Sequence, residues 1–215
     1  EVAERCRDRP SRLPPLRVIL IEDSDSGAAR TATAELSPDV PLRLEPFAID
    51  VRAARLLLGR WPLHRGFDPR FGQATHLVIV GHATPAEALL MQALRSAHYS
   101  EQPPHVTLLD DDPQAWRQRF EDAHPQARQF SRLRFLGLDD PGLTDAPPVT
   151  SLFVFVDPPT RGLDVADALM RRLADAQQVS PPAVLEVGAA RPSGSLSDWD
   201  GQLYPVCHRR EALSA

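Results

Sequence analysis

Thr75-His-Leu-Val-Ile-Val-Gly-His-Ala-Thr-Pro-Ala-Glu-Ala-Leu-Leu90, followed by His105-Val-Thr-Leu-Leu-Asp-Asp-Asp112, is the stretch whose reading decides the fold. Each half opens on a short run of branched apolar residues with no polar alternation. That pattern suits a strand buried on both faces, as in a parallel sheet. Between the runs, Leu89, Leu90, Ala93, Leu94 and Ala97 recur at helical spacing. Thr84 with Glu87 three residues on, and Pro85 between them, predicts a capping box with Pro at the first helical position. The stretch therefore reads as strand, capped helix and neighbouring strand, with 76–81, 85–98 and 105–110 as their ranges.

The same alternation continues outward. Ser151-Leu-Phe-Val-Phe-Val-Asp157 and Ala183-Val-Leu-Glu-Val-Gly188 are further apolar runs, and strands are also expected near 129–136 and 203–206. Helices are expected over 113–123, opened by Asp112-Pro113, and over 161–177, where Ala166, Leu169, Met170 and Leu173 form the apolar stripe. Strands alternating with helices imply right-handed βαβ crossovers. Residues 76–215 are thus predicted to form a doubly wound, Rossmann-like α/β domain with strand order 3-2-1-4-5-6, counting strands from His76. The 139–150 link is rich in Asp, Gly and Pro, and a third crossover helix is missing there.

Upstream, Arg17-Val-Ile-Leu-Ile-Glu22 is another buried-type strand, and 1–16 is a polar N-terminal segment. Residues 17–66 read as a β-α-β-α segment with a helix over 24–37 and a bridging helix over 50–60; 67–75 is a linker. The segment repeats the end of the main domain. Leu44-Glu45-Pro46 and Leu203-Tyr204-Pro205 are each a short strand closed by Pro, and Ala53 and Ala212 each fall seven residues beyond that Pro. Residues 17–60 are accordingly expected to be the closing part of a preceding Rossmann-like unit.

Composition narrows the function classes. The net charge of −5 and the lack of a basic stripe argue against nucleic-acid binding. All 24 basic residues are arginine. No run nears the ~20 apolar residues of a membrane span, and no signal peptide is visible. Two cysteines far apart, Cys6 and Cys207, make no disulfide framework, so a cytoplasmic setting is expected. The seven histidines form no metal-binding pair, and no motif assembles a nucleophile with a base. Catalytic and metal sites are therefore not expected.

Candidate ligand residues lie at the carboxyl ends of the strands. In a dinucleotide fold the first strand–helix turn holds phosphate, because glycines admit it and the helix start offers free N–H groups. Here that turn is Gly81-His82-Ala83-Thr84-Pro85-Ala86: the first glycine stands, and Ala83 and Ala86 replace the second and third. Ala83 adds a methyl where a pyrophosphate would lie. Asp110, followed by Asp111 and Asp112, holds the place of the ribose-accepting acid; Asp112 also suits a helix cap. With no arginine close in sequence, the aspartates favour an adenosine-type ligand or NAD over a 2′-phosphorylated one. Asp157 ends another strand at the same sheet edge. Gly81, His82, Ala83, Thr84, Ala86, Asp110, Asp111 and Asp157 are the candidate ligand contacts. A tight turn and solvated carboxylates with no ligand are the alternative reading of the same residues.

The two quoted stretches resemble the TrkA-N type of Rossmann domain. These are the regulators of potassium conductance, including the tandem form in bacterial and Castor/Pollux-like channel proteins. Glu45-Pro-Phe-Ala-Ile-Asp50, Ala53-Ala-Arg-Leu-Leu-Leu58 and Pro62-Leu63 look like the link between two such domains. The resemblance spans about residues 17–206. It implies a cytosolic ligand-sensing module, in homo-oligomers, joined to membrane channel segments in the same or a partner chain. Family phosphate-loop roles fall on Gly81, Ala83 and Ala86, and the ribose role on Asp110. A module of this fold kept for assembly alone, and a nicotinamide-dependent oxidoreductase, are the competing expectations. The oxidoreductase lacks a Tyr–Lys pair and the residues for a substrate domain.

Overall fold

The computed structural model describes residues 16–22, 42–64, 74–99, 101–129, 131–177, 181–186, 202–207 and 212–213. The main body is one six-stranded sheet, all of it parallel. Its strands are β3 (His76–Val80), β4 (His105–Asp110), β5 (Arg132–Gly137), β6 (Ser151–Val154), β7 (Ala183–Glu186) and β8 (Leu203–Val206), in the order β5-β4-β3-β6-β7-β8. Counted from β3 this is the predicted 3-2-1-4-5-6. The chain is α/β and doubly wound, with the order reversing at β3, between β4 and β6.

The unbroken apolar runs are explained by cores on both faces. On one face Leu77, Ile79, Val106, Leu108 and Phe153 pack with three helices. Val78, Val80, Leu109, Leu152 and Val154 point to the other. Every residue of β3, β4 and β6 is buried. The first face is covered by α1 (Ile49–Arg60), through Ala54 and Leu57, by α2 (Thr84–Ser96), through Leu89, Leu90 and Ala93, and by α3 (Pro113–Ala123), through Trp116 and Phe120. The second is covered by α4 (Pro159–Gln177), through Ala166, Leu169, Met170 and Leu173. In place of a third crossover helix, a single 3₁₀ stretch, Pro141–Asp145, puts the fully buried Leu143 into the second core. Arg134 fixes it by donating to Gly142 O at 2.8 Å.

Ahead of the sheet, β1 (Leu16–Glu22) and β2 (Leu42–Ala48) pair in parallel, with Leu16 opposite Leu42 and Glu22 opposite Ala48. Helix α1 follows at once. It lies against α2, so the upstream segment meets the main domain through this helix. Ala53 of α1 and Ala212 share one small buried cluster with Ile49, and Arg52 Nε donates to Ala212 O at 3.0 Å. The two alanines that mark the repeat thus touch the same core.

Several boundaries differ from the sequence reading. Pro46 and Pro205 lie inside β2 and β8 and do not close them. β8 stands last in the sheet order, where a missing N–H costs no ladder bond. β6 stops at Val154, three residues short of Asp157. α2 is capped by the backbone of Ala83; Thr84 is already helical and forms no capping box, since no side-chain cap bond is made. Glu87 instead accepts from His124 Nε2 at 3.1 Å, drawn to α3 by that ring. α4 begins at Pro159, two residues earlier than expected. The expected 24–37 helix, the polar segment 1–15, the linker up to residue 73 and 187–188 lie outside the described residues.

Candidate functional site

The switch point at β3 opens a crevice beyond the carboxyl ends of β3, β4 and β6. Ligands collect at this position in open α/β sheets because the adjacent crossovers leave the sheet in opposite directions there. The crevice has a volume of about 200 Å³. Gly81, His82 and Ala83 come from the β3–α2 turn, Asp110 and Asp111 from the end of β4, Asp157 from the β6–α4 connection and Arg161 from the first turn of α4. Six of the eight predicted contacts, all those outside α2, therefore meet in one place.

Gly81 is the tight point of the turn. Its φ is +90°, and a Cβ there would lie 2.2 Å from Phe155 O. Only glycine serves both the left-handed conformation and the close approach to β6. Its N–H holds the turn against β4 by donating to Leu109 O at 2.9 Å.

Asp110 is the buried acid of the crevice, with a side chain 8% exposed. Its Oδ1 accepts from the Asp112 N–H at 3.0 Å. Its Oδ2 lies 2.8 Å from His82 Nδ1, which must carry the proton when the carboxylate is ionised. The His82 ring is largely in solvent, so this bond can be exchanged for a ligand's. Asp112 turns away and caps α3 by accepting from the Ala115 N–H at 3.0 Å.

Thr84 and Ala86 do not belong to the crevice. Thr84 is exposed in the first turn of α2, and Ala86 is fully buried against the first core. The helix that brings Ala83 to the rim carries Ala86 round to its packed face, so the third position of the glycine motif is here a packing position. The first turn is also poor in donors. Pro85 has no N–H, and those of Ala86 and Glu87 both close on Ala83 O, at 2.9 and 3.2 Å.

Arg161 is the crevice residue that local sequence reading misses. Its Nη2 meets Asp111 Oδ2 at 2.5 Å across fifty residues of chain. Asp111, by hydrogen bond and charge, holds the guanidinium still more firmly protonated. The preference for NAD over a 2′-phosphorylated ligand rested on there being no arginine nearby; the fold supplies one. A cue was present in Asp157-Pro158-Pro159, because a Pro-shaped helix start after a central strand delivers its first turn to this edge.

Among the described residues no group of three His, Cys, Asp or Glu is placed to hold a metal ion. No described helix is long and apolar enough to cross a membrane. A larger cleft, about 580 Å³, lies between the last turns of α2 and α3, lined by Met91, Leu94, His98 and His124. It is away from the carboxyl ends of the strands, and size alone does not make it the site. Comparison with family models, curated proteins and solved structures gives no match.

Proposed function

We propose that this chain is a regulatory, non-catalytic Rossmann-like module that senses an adenosine-type ligand, an adenine nucleotide or NAD(H), on behalf of a channel or transporter. The observation that carries the reading is the meeting of Gly81, His82, Asp110 and Arg161 in the switch-point crevice. The buried acid at the end of the second strand is the group that accepts from a ribose. The resemblance of 75–90 and 105–112 to TrkA-N domains supplies the regulatory context. On that reading the module is cytoplasmic, homo-oligomeric and joined to membrane segments in the same or a partner chain. Among the described residues the crevice lining holds no hydroxyl, thiol or amine nucleophile, and its buried carboxylate, Asp110, is engaged by His82 and the Asp112 N–H, which supports a sensing reading.

A sensor needs a ligand that binds two states unequally. Helix α2 starts at the crevice and carries α1 on its flank, so a ligand that prefers one setting of α2 biases the position of β1 and β2. The test is thermal unfolding of the full chain with adenosine, AMP, ADP, ATP, NAD and NADH. At least one is expected to raise Tm in a saturable way, and Asp110→Ala is expected to remove the rise. No shift with any of them would favour the second reading, an assembly module that binds no small molecule. The small crevice and the turned-in N–H groups of α2 are what speak for that alternative.

A further inference from the structure

We infer that the crevice selects the ribose of an uncharged nucleoside and discriminates against the phosphates of a nucleotide. The inference rests on the proposed reading of this crevice as a ligand site, and it names the chemical class that the site takes.

Phosphate binding in this fold depends on the first turn of the helix after the first strand, where three N–H groups and the helix dipole face the anion. In α2 that set is reduced. The second position is Pro85, and the third, Ala86, gives its N–H to Ala83 O at 2.9 Å. The remaining one of the three belongs to Thr84, which does not line the crevice. Ala83 lines the crevice at the position where a second glycine would let phosphate approach the backbone. The electrostatics point the same way. Asp110, Asp111 and Asp157 all line the crevice, and the one guanidinium there among the described residues, Arg161, is already on Asp111. A phosphate would have to displace that carboxylate and remain among the others.

The polar groups that do remain suit hydroxyls. Asp110 uses one lone pair of each oxygen, on the Asp112 N–H and on His82, and a carboxylate has about four acceptor sites. A sugar diol can therefore donate to Asp110 without breaking its existing bonds. With Nδ1 protonated, Nε2 of the exposed His82 ring is a further acceptor. The volume fits a sugar: about 200 Å³ is below the roughly 300–1,000 Å³ of sites that enclose drug-sized ligands. Leu138 and Val156 add apolar wall against which a base can rest at the mouth.

The experiment is isothermal titration of the full chain with adenosine, AMP, ADP and NAD at fixed ionic strength, with ribose 5-phosphate as a phosphate-bearing sugar. Adenosine is expected to bind at least tenfold more tightly than AMP, with ADP weaker again. Asp110→Asn is expected to weaken adenosine by tenfold or more, with the far-ultraviolet circular dichroism of the variant unchanged. Asp111→Asn frees Arg161 and removes a carboxylate, so it is expected to narrow the gap between adenosine and AMP. If AMP or NAD equals or exceeds adenosine, the inference is overturned while the crevice remains a nucleotide site. If nothing binds, the inference falls together with the ligand-sensing reading.

Discussion

His76 shows what a single polar residue contributes at the opposite end of the strands. It is completely buried at the start of β3, with Nδ1 2.7 Å from Pro147 O and Nε2 2.8 Å from Thr107 Oγ1. A carbonyl only accepts, so Nδ1 carries the proton and Nε2 accepts from the threonine hydroxyl. The neutral ring is fully satisfied, and a second proton would reverse the Thr107 bond and bury a charge. Desolvation accordingly pushes its pKa down to about 4, against a smaller upward effect of the Pro147 hydrogen bond; His105 and Arg134 push it further down. His105 is lowered too, first by burial and then by Arg132 and Arg134. The unfolded chain takes up these protons near pH 6.5 and the folded chain does not, so the unfolded state binds more protons between the two values. Stability is full above pH 6.5, falls as pH drops toward 4, and loses nothing further to His76 below that. The expected loss from His76 is about 3 kcal/mol. Urea titrations at pH 7.5, 6.0, 5.0 and 4.5 check it. His76→Gln should be less stable at pH 7.5 and have a flatter pH dependence, and an unchanged slope would refute the assignment.

Among the elements, the joint between α1 and α2 decides whether the upstream segment belongs to the domain. Leu57 is 2% exposed and shares a core with Leu89 and Leu90. Leu57→Ala leaves a cavity between two helices that are held apart by other contacts, and is expected to cost about 2–4 kcal/mol in urea or guanidinium unfolding. A loss under about 1 kcal/mol would mean the helices separate freely in solution. The strands of this fold were legible in the sequence for a physical reason: a parallel strand covered on both faces needs a continuous apolar run, and Leu77–Val80 and Val106–Leu109 have one. The order of the sheet followed from the alternation of element types. The helix start was less legible. Thr84 and Glu87 have the spacing of a capping box, yet His124, thirty-seven residues later, takes the Glu87 carboxylate. Arg161 was hidden likewise, because its partner Asp111 lies fifty residues away and only the sheet order brings them together. The places of Gly81 and Asp110 in the crevice were readable because they are set by position in one βαβ unit; Thr84 and Ala86 fall outside it because the helix carries them away from the crevice.

At the scale of the whole molecule, the first core is continuous from α1 to α3. Leu57, Trp61 and Leu63 share it with Leu77, Leu90, Trp116, Phe120 and Val206. Trp61, 5% exposed, has its ring centroid 5.7 Å from that of Tyr204 in β8, and Trp116, 1% exposed, packs edge-on to Phe135 in β5 at 6.1 Å. The two indoles therefore report on opposite edges of one sheet, Trp61 also on the junction with the upstream segment. A shared core of this kind implies that α1 unfolds with the sheet and does not melt first. The chain has three tryptophans, the third being Trp199. Two variants isolate the reporters: W116F/W199F leaves Trp61, and W61F/W199F leaves Trp116. In each, the fluorescence transition in urea is expected to coincide with the loss of far-ultraviolet circular dichroism, as two-state unfolding requires. If the Trp61 signal moved at lower urea than the ellipticity of the same variant, the upstream segment would be a separate, weaker unit. The route from crevice through α2 to α1 would then be too loose to pass a bound ligand's preference on to β1 and β2.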